Sequence, residues 1–222
     1  KKKKIEIHNN AAVDGLDMQN VNLTDNKVGL RLSTEGSVNN LSMSGGLVSG
    51  NEQGIVANKK KGDGSYLTNA SISDVIFTNN ALKAIYLEKL SDATFTDLDI
   101  RTSGTTGGSS AGIDINLKYG DYQNITLDGT IVRTSATGST NQAITVKARN
   151  DSSYAANPAT LTGLTITNSD IVTTGGFGID VGNAVSNVNV HDNKVSGATN
   201  AGINVYGGVQ DVTLDSNTIK NF

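Results

Sequence analysis

Apolar residues recur in short alternating groups along the whole chain rather than in long runs. One group repeats most clearly: a small residue or glycine, an aliphatic residue, a variable and mostly polar residue, and a second aliphatic residue. Alternation with a period of two is typical of β-strands, because successive side chains point to opposite faces. This group, here called the GI phrase, occurs as QGIVAN at 53, KAIYLE at 83, AGIDIN at 111, QAITVK at 142, FGIDVG at 177 and AGINVY at 201.

A second phrase comes between the GI copies and reads apolar, any residue, apolar, four spacer residues, apolar. The internal spacing is constant while the intervening segments vary in length, which is typical of a solenoid whose coils stack. We therefore predict an all-β fold, a parallel β-helix of eight to nine coils, with inward residues of equal rank in columns. The copies begin at Val21, Leu41, Val75, Ala93, Ile125, Leu164, Val188 and Val212, with Ile5 as a further candidate.

The sixth position of this phrase predicts one polar column inside the solenoid. Asparagine tolerates the left-handed backbone of a sharp corner, and stacked amides can hydrogen-bond from coil to coil. We expect these asparagines to form a single ladder along the axis. The position reads Asn10, Asn26, Asn80, Asn193 and Asn217 in five copies, and Gly46, Leu98, Thr130 and Ser169 in others.

Composition supports a β-fold and excludes several classes of function. The chain has 222 residues, 36% of them hydrophobic, which is enough for one core. It contains no apolar run long enough to span a membrane and no cysteine, and a net charge of −3 gives no basic surface for nucleic acid. We expect a basic tail at residues 1–4 and a single domain over 5–222, with neither a nucleic-acid partner nor a membrane span; the oligomeric state stays open.

The segment NVNVHDNKVSGATNAGINVYGGVQDVTLDSNTIKNF resembles consecutive coils of the right-handed parallel β-helix family. That family includes pectate and alginate lyases, mannuronan epimerases, polygalacturonases and phage tailspikes. AITVKARNDSSY, residues 143–154, is similar to later coils of alginate epimerase catalytic modules. The catalytic Tyr/Asp/His motif of those epimerases and the Gly-His-Gly signature of polygalacturonases are missing. The resemblance implies a right-handed helix, secreted or cell-surface, that is part of a longer β-helix.

The variable residues of the GI phrase are predicted to face outward in two columns. The first reads Arg31, Val56, Tyr86, Asp114, Thr145, Asp180 and Asn204, and the second reads Asn58, Glu88, Asn116, Lys147, Gly182 and Tyr206. The segments after the GI strands, at 59–69, 118–124 and 148–160, are long and should stand as a wall beside this face.

Tyrosine and basic residues gather in these strands and loops, which suggests a groove for an acidic polysaccharide. A tyrosine ring offers an apolar surface for a sugar, and basic groups bind its carboxylates. Alternatively, loops collect tyrosine and lysine because both tolerate partial exposure. The predicted substrate-binding residues are Tyr66, Tyr86, Tyr122, Tyr154, Tyr206, Lys118 and Asp180.

The outward columns also contain groups suited to β-elimination or epimerisation of a uronate. Such chemistry needs a group that neutralises the carboxylate and a base for the adjacent proton. Glu88, Asp114 and Asn116 are candidate ligands of Ca²⁺, which prefers carboxylate and amide oxygens. Lys147 is a candidate base, with Arg149 or Tyr119 as further catalytic residues.

Two alternatives remain open for the same residues. Glu88 or Asp114 could simply pair with Lys147 across strands, which stabilises a sheet by up to about 1 kcal/mol. Asp114 and Asp180 could also act as the two carboxylates of an inverting hydrolase, because two coils place them roughly 9.6 Å apart. The leading function is a lyase- or epimerase-like protein acting on an acidic polysaccharide. The rival is a non-catalytic solenoid such as a tailspike segment, an adhesin or a glycan-binding module.

Overall fold

Strands pair with strands three places away in the chain, or two places away where a long strand spans a corner, as the coils of a solenoid require. The computed structural model describes residues 4–58, 66–106 and 110–220, apart from the side chains of residues 136–139. Within these residues every strand pair is parallel. The chain runs through one strand of each of three stacks and then returns to the first, so the predicted all-β parallel solenoid is confirmed.

The first stack is an eight-stranded sheet. Its strands are β2 (Ala12–Gln19), β5 (Ser37–Ser44), β8 (Leu67–Ser73), β11 (Leu90–Thr96), β14 (Gly120–Asp128), β16 (Ala159–Thr167), β18 (Val185–His191) and β21 (Gln210–Asp215).

The other two stacks belong to one folded-over sheet of fourteen strands. The short-strand stack contains β3 (Asn22–Thr24), β6 (Leu47–Ser49), β9 (Ile76–Thr78), β12 (Asp99–Arg101), β19 (Lys194–Ser196) and β22 (Thr218–Lys220). The GI stack contains β1 (Ile5–Ile7), β4 (Val28–Leu32), β7 (Gln53–Ala57), β10 (Lys83–Leu87), β13 (Ala111–Leu117) and β20 (Ala201–Tyr206). Two long strands, β15 (Ile131–Ala148) and β17 (Asp170–Asn183), turn the corner and belong to both.

The isoleucines of the GI phrase form the predicted inward column. Ile85 pairs with Ile113, Ile113 with Ile144 and Ile144 with Ile179, and all four side chains are fully buried. Burying one such side chain contributes about 1.5–3 kcal/mol relative to leaving it exposed. No coil encloses its own apolar residues, so stacking of the coils creates the core.

The glycine of the GI phrase is required by close packing between stacks. A Cβ atom on Gly54 would lie 2.3 Å from the Ala84 carbonyl oxygen, and one on Gly178 would lie 2.2 Å from Cγ1 of Val195. At Gly54 the backbone of the next GI strand leaves no room for a side chain, and at Gly178 the short-strand stack leaves none.

Corners and bulges explain the high asparagine and aspartate content. Every strand of the eight-stranded sheet contains one residue with a left-handed backbone at the same rank, which ladder pairing skips. Asparagine, aspartate and glycine adopt this conformation with little strain. These residues are Gly15, Asn40, Asn69, Asp92, Asn124, Gly163, Asn187 and Asp211.

Two copies of the second phrase were assigned to the wrong register. Leu41 and Val188 begin true copies, but Val21 and Val75 do not. The correct copies begin five residues earlier, at Leu16 and Ala70, because Leu23 and Phe77 are the third apolar positions. The candidate copy at Ile5 is also wrong, since Ile5 lies in the GI stack beside Leu30.

This register error merged two asparagine ladders into one. The ladder at one corner runs from Asn26 through Asn51 and Asn80 to Ser103. The ladder at another corner runs through Thr130, Ser169, Asn193 and Asn217. In both, a side-chain oxygen accepts the backbone N–H of the residue one coil earlier, so the coil-to-coil hydrogen bonding was predicted correctly but the single column was wrong.

Residues 1–3 of the predicted basic tail lie outside the described residues. Lys4 forms an ion pair with Glu6 at 2.8 Å. None of the helices in the described ranges is long and apolar enough to cross a membrane.

Candidate functional site

The outward columns of the GI stack are aligned as predicted. Tyr86 pairs with Asp114, Asp114 with Thr145, Thr145 with Asp180 and Asp180 with Asn204. In the second column Asn116 pairs with Lys147, Lys147 with Gly182 and Gly182 with Tyr206. These side chains therefore form one continuous surface, here called the GI face.

Much of the GI face is shielded from water, contrary to the expectation that it lies open. Glu88 is 4% exposed, Asp114 5% and Asp180 4%. A carboxylate loses hydration when it is buried, so each needs hydrogen bonds or an opposite charge. The partners differ between the two halves of the face.

Lysines neutralise the acids on the half formed by β10 and β13. Lys83 forms an ion pair with Asp114 at 2.5 Å, and its ammonium lies 4.0 Å from the centre of the Tyr86 ring. Lys118 pairs with Glu88, which also accepts a hydrogen bond from the Tyr86 hydroxyl. Charge pairing was therefore correctly anticipated as an alternative, but Lys83 and Lys118 are the partners rather than Lys147.

Tyr86 is fixed in its protonated form by this arrangement. Burial raises the pKa of its hydroxyl, and the neighbouring charges of Glu88 and Asp114 raise it further. Tyr86 therefore acts as a hydrogen-bond donor to Glu88, and a role as a base is disfavoured.

The three predicted calcium ligands lie together, but their charge is already matched. Two oxygens remain without a hydrogen-bond partner, Oδ1 of Asp114 and Oδ1 of Asn116. Calcium would require Lys83 and Lys118 to leave the carboxylates, because an ammonium and a cation compete for the same oxygens. Among the described residues no group of three or more histidine, cysteine, aspartate or glutamate side chains could hold a metal.

Lys147 is the cation of the other half that forms no ion pair among the described residues. Its side chain is half-buried, and no carboxylate of the described residues lies within ion-pair distance of its ammonium. Asp180 and Asp151 are close enough to attract it. A half-buried ammonium without a bound carboxylate is suited to receive one from a ligand.

Asp180 occupies the column next to Lys147 and is held by hydrogen bonds. Asn204 Nδ2 donates to it at 2.7 Å, and the Thr145 hydroxyl donates at 3.4 Å. Burial raises the pKa of the Asp180 carboxyl, although the Asn204 bond, Lys147 and Thr145 oppose the change. Asp180 and Asp114 lie two coils apart in one column, as the hydrolase alternative requires, but Asp114 is bound by Lys83.

The loops after β13 and β15 bring further predicted residues together beside the face. Arg149 donates two hydrogen bonds to Asp151, at 2.5 and 3.0 Å, and stacks 4.5 Å from the Tyr154 ring centre. Tyr119 lies 5.2 Å from Tyr154 between ring centres, and the Lys118 ammonium lies 5.5 Å from the Tyr154 ring. Tyr119 has a left-handed backbone, an uncommon conformation for an aromatic residue. The predicted wall at 118–124 is wrong in most of its length, because residues 120–124 belong to β14, while residues 59–65 lie outside the described residues.

Tyr122, which was predicted to bind substrate, lies in the core and not on the GI face. It is 3% exposed and belongs to the hydrophobic core, where its hydroxyl donates to the Lys118 carbonyl oxygen at 2.7 Å. Tyr66 packs against the same core, 6.4 Å from Tyr122 between ring centres, and stacks with Lys89. Both were assigned to loops, but Tyr122 lies on β14 and points inward.

Sequence reasoning missed two residues of the GI face, Lys83 and Phe177. Lys83 pairs in register with Ala111, and Phe177 pairs with Gln142 and Ala201. Both belong to a third column that precedes the glycine of the GI phrase. The sequence contained the information needed to find them, since the first residue of each GI copy varies from coil to coil as the residues of the two predicted outward columns do.

Comparisons with known proteins give distant likenesses. No protein-family model and no curated protein matches the chain. Among solved structures, the A-module of the Azotobacter vinelandii mannuronan C-5 epimerase AlgE4 is similar, with 13% identity, a TM-score of 0.37, and 98% of this chain and 79% of that one covered. QnrB1, a plasmid-mediated fluoroquinolone resistance protein, shows 11% identity and a TM-score of 0.21, with 92% of each chain covered. The functional argument therefore depends on the GI face itself.

Proposed function

We propose that this protein binds and processes an acidic polysaccharide on the GI face, as a uronate lyase or C5-epimerase outside the cell. The observation that carries the proposal is Lys147, a half-buried cation without a bound carboxylate in the described part of the face. Arg149 follows two residues later in the chain and stacks on Tyr154, which lies beside Tyr119. The proposal includes a right-handed helix of eight to nine coils, secreted or displayed at the cell surface.

The reaction assigns a separate task to each basic group. Arg149 turns from Asp151 to the uronate carboxylate and neutralises it, which stabilises the negative charge that develops when the neighbouring C5 proton leaves. Lys147 first gives one proton of its ammonium to solvent and then takes the C5 proton. In a lyase the C4–O4 bond then breaks, a C4=C5 double bond forms, and Tyr119 supplies a proton to the departing oxygen. In an epimerase a proton returns to C5 from the opposite face and no bond of the chain breaks.

Binding of Ca²⁺ by Glu88, Asp114 and Asn116 stays a prediction, and no step of the proposed reaction uses it. It requires Asp114 and Asn116 to use their unpartnered oxygens while the lysines move away. A calcium titration by calorimetry tests it: heat of binding in the wild-type protein that is absent from Asp114→Asn would support this site. The same heat in both proteins would assign calcium elsewhere.

The activity test uses alginate, pectate and hyaluronan as substrates. Ultraviolet absorbance of the unsaturated product detects a lyase, and NMR of the polymer detects an epimerase. Lys147→Ala should lower turnover by about 10²- to 10⁴-fold, as expected for loss of a general base. Lys194→Ala is the matched control, because Lys194 is an exposed lysine in the short-strand stack.

Two results would contradict the proposal. Full activity in a folded Lys147→Ala protein would remove the assigned base. Binding of these polysaccharides without any turnover in either assay would favour the non-catalytic glycan-binding solenoid. An inverting hydrolase would instead release reducing ends without an unsaturated product and would depend on Asp180.

A further inference from the structure

Tyr206 lies flat across Gly182 on the neighbouring coil. A Cβ atom on Gly182 would come within 2.2 Å of Cζ, 2.3 Å of Cε1 and 2.6 Å of the hydroxyl of Tyr206. Any side chain at position 182 would therefore occupy the space of the ring. The ring covers the backbone of β17 only because this rank of the column is a glycine.

The ring has one covered face and remains partly open to a ligand. Tyr206 is 39% exposed, the largest exposed fraction among the tyrosines of the described residues. One ring face contacts the β17 backbone at Gly182, so the accessible area belongs to the other face and the edge. An apolar ring fixed at a polar surface is suited to pack against the C–H face of a sugar.

Lys147 lies on the other side of Gly182 in the same column. Lys147 pairs with Gly182 and Gly182 pairs with Tyr206, so the ring reaches across Gly182 towards Lys147. Burial raises the pKa of the Tyr206 hydroxyl most, the nearby charge of Asp180 raises it further, and the charge of Arg149 lowers it. The cations and the ring thus surround one position on the face.

We propose that Tyr206, held flat by Gly182, is the stacking subsite that positions a uronate ring with its carboxylate between Lys147 and Arg149. The proposal rests on the proposed function, but it concerns binding and can be measured without turnover. Gly182 is a specificity-determining residue in this arrangement, although it contributes no functional group of its own.

The experiment measures binding of defined uronate oligosaccharides by calorimetry. Tyr206→Ala should weaken binding by about 2- to 10-fold, the range expected for one aromatic contact. Tyr206→Phe should bind like the wild type, because the ring rather than the hydroxyl makes the contact. Gly182→Ala should weaken binding because the new methyl group displaces the ring. Gly208→Ala is the control, since a Cβ atom there meets only the Asn183 carbonyl oxygen at 3.6 Å.

A carboxyl-reduced oligosaccharide separates the two contacts. Its binding should still be weakened by Tyr206→Ala but should no longer respond to Lys147→Ala, because the sugar ring remains and the charge is gone. If Tyr206→Ala binds the oligosaccharides and turns them over as the wild type does, the subsite is overturned and the proposed function is not affected. A wild-type protein that binds none of the uronate oligosaccharides would overturn both the subsite and the proposed function.

Discussion

Removal of one amide from the first asparagine ladder should destabilise the whole solenoid. Asn80 is fully buried, and its side chain makes four hydrogen bonds. Its Oδ1 accepts from the Asn51 backbone N–H at 3.3 Å and from Asn51 Nδ2 at 2.9 Å. Its Nδ2 donates to the Val48 carbonyl oxygen at 2.9 Å and to the Ser103 hydroxyl at 3.2 Å.

Asn80→Ala leaves these partners buried without replacements. A buried hydrogen bond contributes about 1 kcal/mol net, and an unpaired buried group costs about 1–3 kcal/mol. The two hydrogen bonds at 2.9 Å should each contribute their full share to stability, and the two longer ones less. We therefore expect the free energy of unfolding to fall by about 3–4 kcal/mol. For a chain of this length that loss corresponds to a melting temperature roughly 6–15 °C lower.

Guanidinium denaturation followed by far-ultraviolet circular dichroism measures the loss. Asn217→Ala is the matched control. Asn217 likewise belongs to an asparagine ladder, where its side chain makes three hydrogen bonds, but it is only half-buried. Water can replace its bonds, and we expect a loss of about 1 kcal/mol. A loss below about 1 kcal/mol in Asn80→Ala, or equal losses in the two variants, would refute the reasoning about burial.

Two further predictions concern packing and charge. Gly178→Ala should cost about 1–3 kcal/mol in thermal or chemical unfolding, because its methyl group would overlap Val195; an unchanged midpoint would show that the stacks separate easily. Asp180→Asn should raise the melting temperature at neutral pH and lose this advantage in acid. The folded-state pKa of Asp180 is raised, so the stability linked to its neutral form is present at low pH and is lost as pH rises through that pKa. A gain that is largest in acid would contradict the assignment of burial as the cause.

The sequence was sufficient to predict which residues share the columns of the GI face. Tyr86, Asp114 and Asp180 were placed in one column from the GI phrase alone, and the pairing agrees. The reason is that strand side chains alternate with a period of two and coils stack at about 4.8 Å, so rank within a phrase fixes position in space. The same reasoning failed at Val21 and Val75, where a second apolar pattern five residues later fitted the phrase equally well.

The partners and the exposure of the candidate site could not be predicted in this way. Lys83 was overlooked, and the charge-pairing alternative named Lys147 as the partner of Glu88 or Asp114. The true partners could not be read from the sequence, because ion pairs depend on how far each side chain reaches from its own column. Tyr122 was assigned to the surface because its segment resembles a loop, yet it lies on a strand with its ring in the core.

The sequence by itself determined the repeat, the strand alternation and the left-handed corners, since each depends on a few neighbouring residues. Only the tertiary structure decided that Glu88, Asp114 and Asp180 are buried, that the lysines of one half are already paired, and that Tyr206 covers Gly182. Burial and charge pairing arise between coils that are 24 or more residues apart in the chain. Such contacts follow from the reach of side chains across the stack, which no local pattern encodes.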